Sequence, residues 1–341
     1  MTAIRTGPLS LRVRGRAIVA TGVLALVTAA LAVVAIGTGE FPLSPTAVVD
    51  TLLGGGPPGA EFIVDELRLP RVVAALVCGA ALGISGAIFQ AITRNPLGSP
   101  DVVGFQAGCV TGALFVITVV GGGGLQASAG AVIGGVATAA MVYGLAFKGR
   151  RLSGFRLVLV GIAMAALMLA LTDFMLSRAR IEEAQEATRW LLGSLNGRTW
   201  EEVGPLLIAC AVLLPLAAPA GRALKALELG HAAAHGLGLP VERARAALVA
   251  LAVCLVAATT TAIGPVAFVA LAAPQIAKRV LRTAEPSLVG AAVVGALIVQ
   301  ASDIVAQRIV PDTPLPVGVV TGAVGGIYLV WLLAAQWRGT A

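Results

Sequence analysis

Two arginines three residues apart open the chemistry of this chain: Arg68 and Arg71, in Leu67-Arg68-Leu69-Pro70-Arg71. A guanidinium stays charged and presents a planar fork of donors, so exposed arginines steer and orient a partner more than they add affinity. Anchoring a helix end among lipid headgroups is the plainer alternative. The two histidines, His231 and His235, stand one helical turn apart, with Glu228 three residues before the first. That spacing can hold a proton, but no carboxylate cluster surrounds them beyond Glu228, and plain surface histidines fit equally well. Asp173, Gln300 and Asp303 lie within or at the ends of apolar runs, and Gln300 and Asp303 share a helix face. A polar side chain inside a membrane is costly and is therefore a functional candidate. A solvated helix end or a structural hydrogen bond competes with that reading. Met164, Met168 and Met175 share one run, where they either soften a pore wall or pack a core. Cys78, Cys109, Cys210 and Cys254 sit singly in apolar runs, which predicts small buried hydrophobes and neither a disulfide nor a metal site.

The elements that must position these groups are membrane spans. The chain is 58% hydrophobic and 12% charged, and its mean hydropathy is +0.94. A soluble fold of this length cannot hide that much apolar surface, so lipid must cover it. Its 42 glycines suit helices packed backbone to backbone. Runs of spanning length fall at Ala17–Ile36, Val72–Gln90, Val102–Val120, Leu125–Phe147, Leu157–Leu176 and Val203–Ala218. The stretch from Ala246 to Ile276 is too long for one crossing, and Gly264-Pro265 divides it into Ala246–Ile263 and a shorter helix to about Val280. Leu288–Val305 and Val317–Ala335 complete ten spans. The expected fold is therefore all-α and polytopic, a single transmembrane domain over residues 1–341.

Charge sets the orientation. With the N-terminus inside, inner segments hold Arg5, Arg12, Arg14 and Arg16, then Arg94, Lys148, Arg151, Arg222, Lys225, Arg243, Lys278, Arg279 and Arg282 among others. Outer segments keep few cations and most of the acids, including Glu61, Asp65, Glu66, Glu182, Glu183 and Glu186. Positive loops face the cytoplasm, so both termini are expected there. The outer segment 37–71 should carry a short amphipathic helix that begins at Ser44-Pro45 and shows Val48, Val49, Leu52 and Leu53 on one face. A second outer helix is expected at Ala187–Leu192. The inner segment 220–245 is too polar to span and too alanine-rich to stay disordered, which predicts two short helices parted near Gly236–Gly238 and a docking surface.

The run LRLPRVVAALVCGAALGISGAIFQAITRNPLGSP (residues 67–100) resembles the second span and following loop of permease subunits of ABC importers for iron–siderophore complexes and cobalamin. So do Trp190-Leu191-Leu192-Gly193-Ser194-Leu195, GPVAFVALAAPQIAKRV (residues 264–280), Ser302-Asp303-Ile304-Val305-Ala306 and Leu315-Pro316-Val317-Gly318-Val319-Val320-Thr321. The resemblance implies a ten-helix subunit that pairs with a second permease, the same or a similar chain. It implies separate cytoplasmic ATPase subunits, an extracytoplasmic siderophore-binding protein, and no cofactor or metal on this chain. Arg68 and Arg71 match arginines that meet acidic residues of the binding protein. At the family's third basic site stands Gln307, with Arg308 beside it. The segment Leu229, Gly230, His231, Ala234, Leu237 and Gly238 matches the coupling segment that seats in the ATPase, except that His231 stands where many relatives carry an acidic residue.

The fifth span and its neighbours would line the path, with Met164, Met168, Asp173, Gln300 and Asp303 as candidates. Many relatives carry Pro-His where this chain has Pro274-Gln275, and the blocks look most like the ferric-enterobactin branch, which points to catecholate cargo. Cobalamin or haem in the same family is the alternative. An ion-coupled secondary transporter is the rival class, but it would need ion-coordinating groups at mid-membrane, in which this chain is poor.

Overall fold

Small residues decide where the helices meet. Helix α4 (Leu69–Thr93) presents Gly79 and Gly83 one turn apart against Gly295 and Ala291 of α13 (Leu288–Arg308). A Cβ at either glycine would strike the backbone of α13. In lipid, such close approach replaces the hydrophobic drive that joins helices in water. Gly108 and Gly112 of α5 (Phe105–Phe115) meet Gly130, Gly134 and Thr138 of α6 (Leu125–Ala146) in the same way. Gly83→Leu is expected to cost about 3 kcal/mol or more by overpacking. The check is thermal unfolding of the detergent-purified protein, and an unchanged melting temperature would contradict the contact.

The computed structural model describes residues 2–6, 9–13, 15–39, 41–148, 151–283, 287–310 and 314–338. Beyond the four helices named, the chain forms α1 (Gly15–Gly37), α2 (Pro45–Leu52), α3 (Ala60–Phe62), α7 (Gly154–Arg178), α8 (Ile181–Leu191), α9 (Trp200–Glu228), α10 (His231–Gly236), α11 (Val241–Ile263), α12 (Val269–Leu281) and α14 (Val317–Arg338). Helices occupy the expected apolar runs except at residues 102–104, 147 and 265–268. Among the described residues, seven helices are long and apolar enough to cross a membrane. Phe105–Val120 and Val317–Trp331 are shorter apolar helices. The helix from Ala60 through α4 is central, with 78% of its apolar window buried. The same window of α1 is 6% buried, so its surface is left for lipid.

Several local expectations change. Residues Thr2–Thr6 (β1) and Leu9–Val13 (β2) pair as an antiparallel hairpin, and Phe147–Lys148 (β3) pairs with Arg151–Leu152 (β4). The other regular elements among the described residues are helices. α2 starts where expected, with Ser44 Oγ accepting from Ala47 N at 3.2 Å. Its four apolar residues do not share one buried face, however: Val48 is buried with Thr51, whereas Val49, Leu52 and Leu53 stay exposed. The inner segment holds one short helix, α10, not two. α9 continues to Glu228 because the alanine- and leucine-rich stretch after Pro219 contains no further proline. Cys254 is exposed, unlike the other three cysteines, because its face of α11 points away from the bundle.

Candidate transport site

Near the start of α4, Arg71 and Asp303 form a buried ion pair. Arg71 Nη2 donates to Asp303 Oδ1 at 2.7 Å and Nε to Oδ2 at 2.9 Å, and Gln307 Nε2 adds a bond to Oδ2 at 2.8 Å. Side-chain exposure is 18% for Arg71 and 1% for Asp303. The expectation that water reaches Asp303 is thereby corrected: its neighbour in space, 232 residues away in sequence, takes the place of solvent. Arg68 donates to the carbonyls of Ile36 and Phe41, both at 2.7 Å, and so pins the outer loop after α1. Arg308 is exposed and donates to Thr38 Oγ1 at 2.8 Å. The positive charge displayed on this lip thus comes from Arg68 and Arg308, while that of Arg71 is neutralised. Behind the lip, Trp200 Nε1 donates to Asp65 O at 2.8 Å and holds the start of α9 against the π-helical turn Ile63–Arg68.

Helix α7 separates two faces. Gly161, Met164, Met168 and Thr172 are buried. Ile162, Leu169 and Phe174 are exposed, as is Asp173. Met168 is held in the bundle: its Sδ accepts from Thr138 Oγ1 at 3.6 Å, and its carbonyl accepts from Thr111. Met164 and Met168 therefore pack the chain's own core and do not line an open wall. Gln300 is likewise fully buried, with both amide atoms lacking a hydrogen-bond partner. Of the path candidates, only Asp173 stands on an exposed face of the chain.

The segment after α4 re-enters the bundle. The expected span from Val102 begins as helix only at Phe105, because the turn through Asn95-Pro96 and Ser99-Pro100 carries the chain inward without helix. Leu97 N donates to Asn95 Oδ1 at 2.9 Å. Val103 then packs on Gly161 and Gly104 on Ala165. These partners lie seven and eleven residues into α7, about 10–16 Å along its axis. Irregular backbone at that depth must be satisfied by protein. Asp101 Oδ2 accepts from Phe268 N at 3.2 Å, at the start of α12. With its amide turned so that the oxygen faces Val266 N, Gln106 bridges the two breaks, its nitrogen donating to Asp101 Oδ1 at 3.2 Å and its oxygen accepting from Val266 N at 2.6 Å. Phe268 itself takes a φ of 65°, a conformation that non-glycine residues seldom adopt. The sequence reading gave Asp101 and Gln106 no role. The signal was a carboxylate directly after Ser99-Pro100 with a glutamine five residues on.

Between α9 and α11 the chain forms the short helix α10. Gly230 takes a φ of 106° and Gly238 of 80°, so both ends of the segment turn through conformations that favour glycine. Ala234 is fully buried, and Leu229 (66%) and Leu237 (67%) are exposed. His235 is exposed, and the side chain of His231 lies outside the described residues. Two exposed leucines that flank a short helix anchored by one buried alanine make an apolar knob. Between α4 and α12, Gln275 Nε2 donates to Gln90 Oε1 at 2.6 Å, and Gln90 Nε2 donates to Leu271 O at 3.0 Å.

These features define a multi-pass helical membrane protein with a lip of arginines near the start of α4 and an apolar knob between α9 and α11. The chain belongs to the FecCD transport family, whose pattern matches residues 26–335. It is 42% identical over 300 residues to the ferric enterobactin transport system permease protein FepG of Escherichia coli (strain K12), covering 88% of this chain and 91% of that protein. It is 36% identical over 304 residues to the achromobactin transport system permease protein CbrC of Dickeya dadantii (strain 3937), covering 87% and 86%. Among solved structures, an inward-facing metal-chelate type ABC transporter matches with a TM-score of 0.82 and 25% identity, covering 92% of this chain and 98% of that one.

Proposed function

We propose that this chain is the permease of an ATP-driven importer that moves ferric siderophores, of the catecholate type, across the cytoplasmic membrane. The observation that carries the reading is the likeness to the ferric enterobactin permease along nearly the whole chain. The chain crosses the membrane ten times with both ends inside, and residues 1–341 act as one domain. ATP is bound and hydrolysed by partner subunits, so this chain does no covalent chemistry and holds no cofactor. A loaded binding protein docks on the lip of Arg68, Arg71 and Arg308, with the displayed charge coming from Arg68 and Arg308 because Arg71 is paired with Asp303. Exposed arginines there steer and orient the partner more than they add affinity.

The ATPase receives the knob of Leu229, Gly230, His231, Ala234, Leu237 and Gly238. Movement of α10 is transmitted through α9 and α11, between which it sits, and alternates access to a path between this chain and a second permease. Asp173 and the exposed apolar face of α7 border that path. A mostly apolar wall binds a bulky chelate weakly, which favours its release. The test is uptake of labelled ferric catecholate, hydroxamate and citrate chelates, with cobalamin alongside, in cells that lack every redundant importer. The gene is expected to restore catecholate uptake alone. Restoration of another chelate or of cobalamin would replace the cargo assignment, and restoration of none would remove the importer reading.

A further inference from the structure

Three helices end around one basin on the inner side. α4 lends it Gln90, Ala91 and Arg94, α9 lends Glu228, and α12 lends Lys278 and Arg279 with Arg282 just beyond its end. The basin measures about 610 Å³, within the range of small-ligand sites. Its floor includes the Gln90–Gln275 amide pair. Among the described residues lining it, four are cations and one, Glu228, is an anion.

The plain alternative is that these cations only complement the helix ends. Each helix C-terminus carries roughly half a negative charge. Arg94 Nη2 donates to Leu227 O at 2.6 Å and so serves the end of α9, yet the four cations outnumber the single acid of the lining. That surplus suits a monoanion and is poorly matched to a nucleotide. Arg279 lies over the ring of Trp331 on α14, 4.8 Å from its centroid. Trp331 is 55% exposed, and tryptophans of membrane proteins concentrate at headgroup level. Val280, Ile327 and Val330 are exposed apolar residues on the same two helices, available to acyl chains. Basic pockets between helices on the cytoplasmic side are sites for anionic headgroups.

We propose that the basin formed by Arg94, Lys278, Arg279 and Arg282 binds the phosphodiester headgroup of an anionic phospholipid. This rests on the membrane placement of the chain and is independent of its cargo. The test is native mass spectrometry of the full-length protein in neutral detergent, loaded with phosphatidylglycerol or phosphatidylcholine. The wild type is expected to retain phosphatidylglycerol selectively. Each cation near a membrane surface contributes about fivefold to anionic lipid binding, so Lys278→Gln/Arg282→Gln should lower that retention roughly 25-fold. Arg222→Gln/Arg243→Gln, two inner cations outside the basin, should leave it unchanged. If the first double variant does not fold, Lys278→Gln alone should show about a fivefold loss. Equal retention of the two lipids would overturn the assignment, as would equal losses in both double variants. Displacement of the lipid by millimolar inorganic phosphate would also overturn it, because the site would then serve a free phosphate.

Discussion

Asp303→Ala is expected to destabilise the protein by about 3–5 kcal/mol, because it leaves Arg71 charged in a site built around its partner. The geometry sets the size of the effect. Asp303 accepts from Nε and Nη2 of Arg71 and from Gln307 Nε2, and its side chain has 1% exposure. Removing one member of a buried pair costs more than removing both, since a hydrophobic pair of similar volume is often neutral. Arg71→Met/Asp303→Leu should therefore recover most of the melting temperature lost in Asp303→Ala. Thermal unfolding of the three proteins in one detergent decides this. A double variant as unstable as Asp303→Ala would show that packing around these side chains, and not the unpaired charge, sets the loss. The pair also separates stability from docking. Because the charge of Arg71 is neutralised in place, Arg68→Glu and Arg308→Glu should reduce uptake more, and with a steeper salt dependence, than the folded double variant does.

Leu229→Glu/Leu237→Glu is expected to abolish coupling to the ATPase while leaving the permease folded. Both leucines are about two-thirds exposed, whereas Ala234 between them is fully buried. The substitutions therefore place charge on the knob without touching its anchor. A central apolar anchor at an interface contributes 2 kcal/mol or more, about thirtyfold in affinity, so losing two should lower ATPase association and uptake by roughly 100-fold or more. Co-purification, uptake and thermal unfolding are measured together. Full co-purification with normal uptake would exclude α10 as the coupling element. A melting temperature that falls with uptake would instead assign the leucines to the fold.

The spans were legible because about twenty apolar residues in a row have few other uses. Gly264-Pro265 correctly divided α11 from α12 because it is punctuation written in the chain. The re-entrant segment was not legible: Val102 and Val103 are as apolar as a helix, and hydropathy does not distinguish a turn buried in protein from a span. Asp303 was misread for a different reason. Its burial depends on Arg71, on another helix, and no local pattern states that pairing. Met164 and Met168 share the buried face of α7 with Gly161 and Thr172, a periodicity that was present in the sequence but does not say which face meets the bundle. The hairpin of β1 and β2 had a visible signal, the alternation of Leu9, Leu11 and Val13 with Ser10 and Arg12. Cationic residues at the same terminus drew the reading toward orientation instead.

The most direct test of the central claim is accumulation of a labelled ferric catecholate in sealed proteoliposomes holding this permease, its ATPase and its binding protein. Accumulation is predicted to require ATP and the binding protein, and to persist when proton and sodium gradients are collapsed. Accumulation without ATP that disappears with the ion gradient would contradict the account and make the chain a secondary transporter.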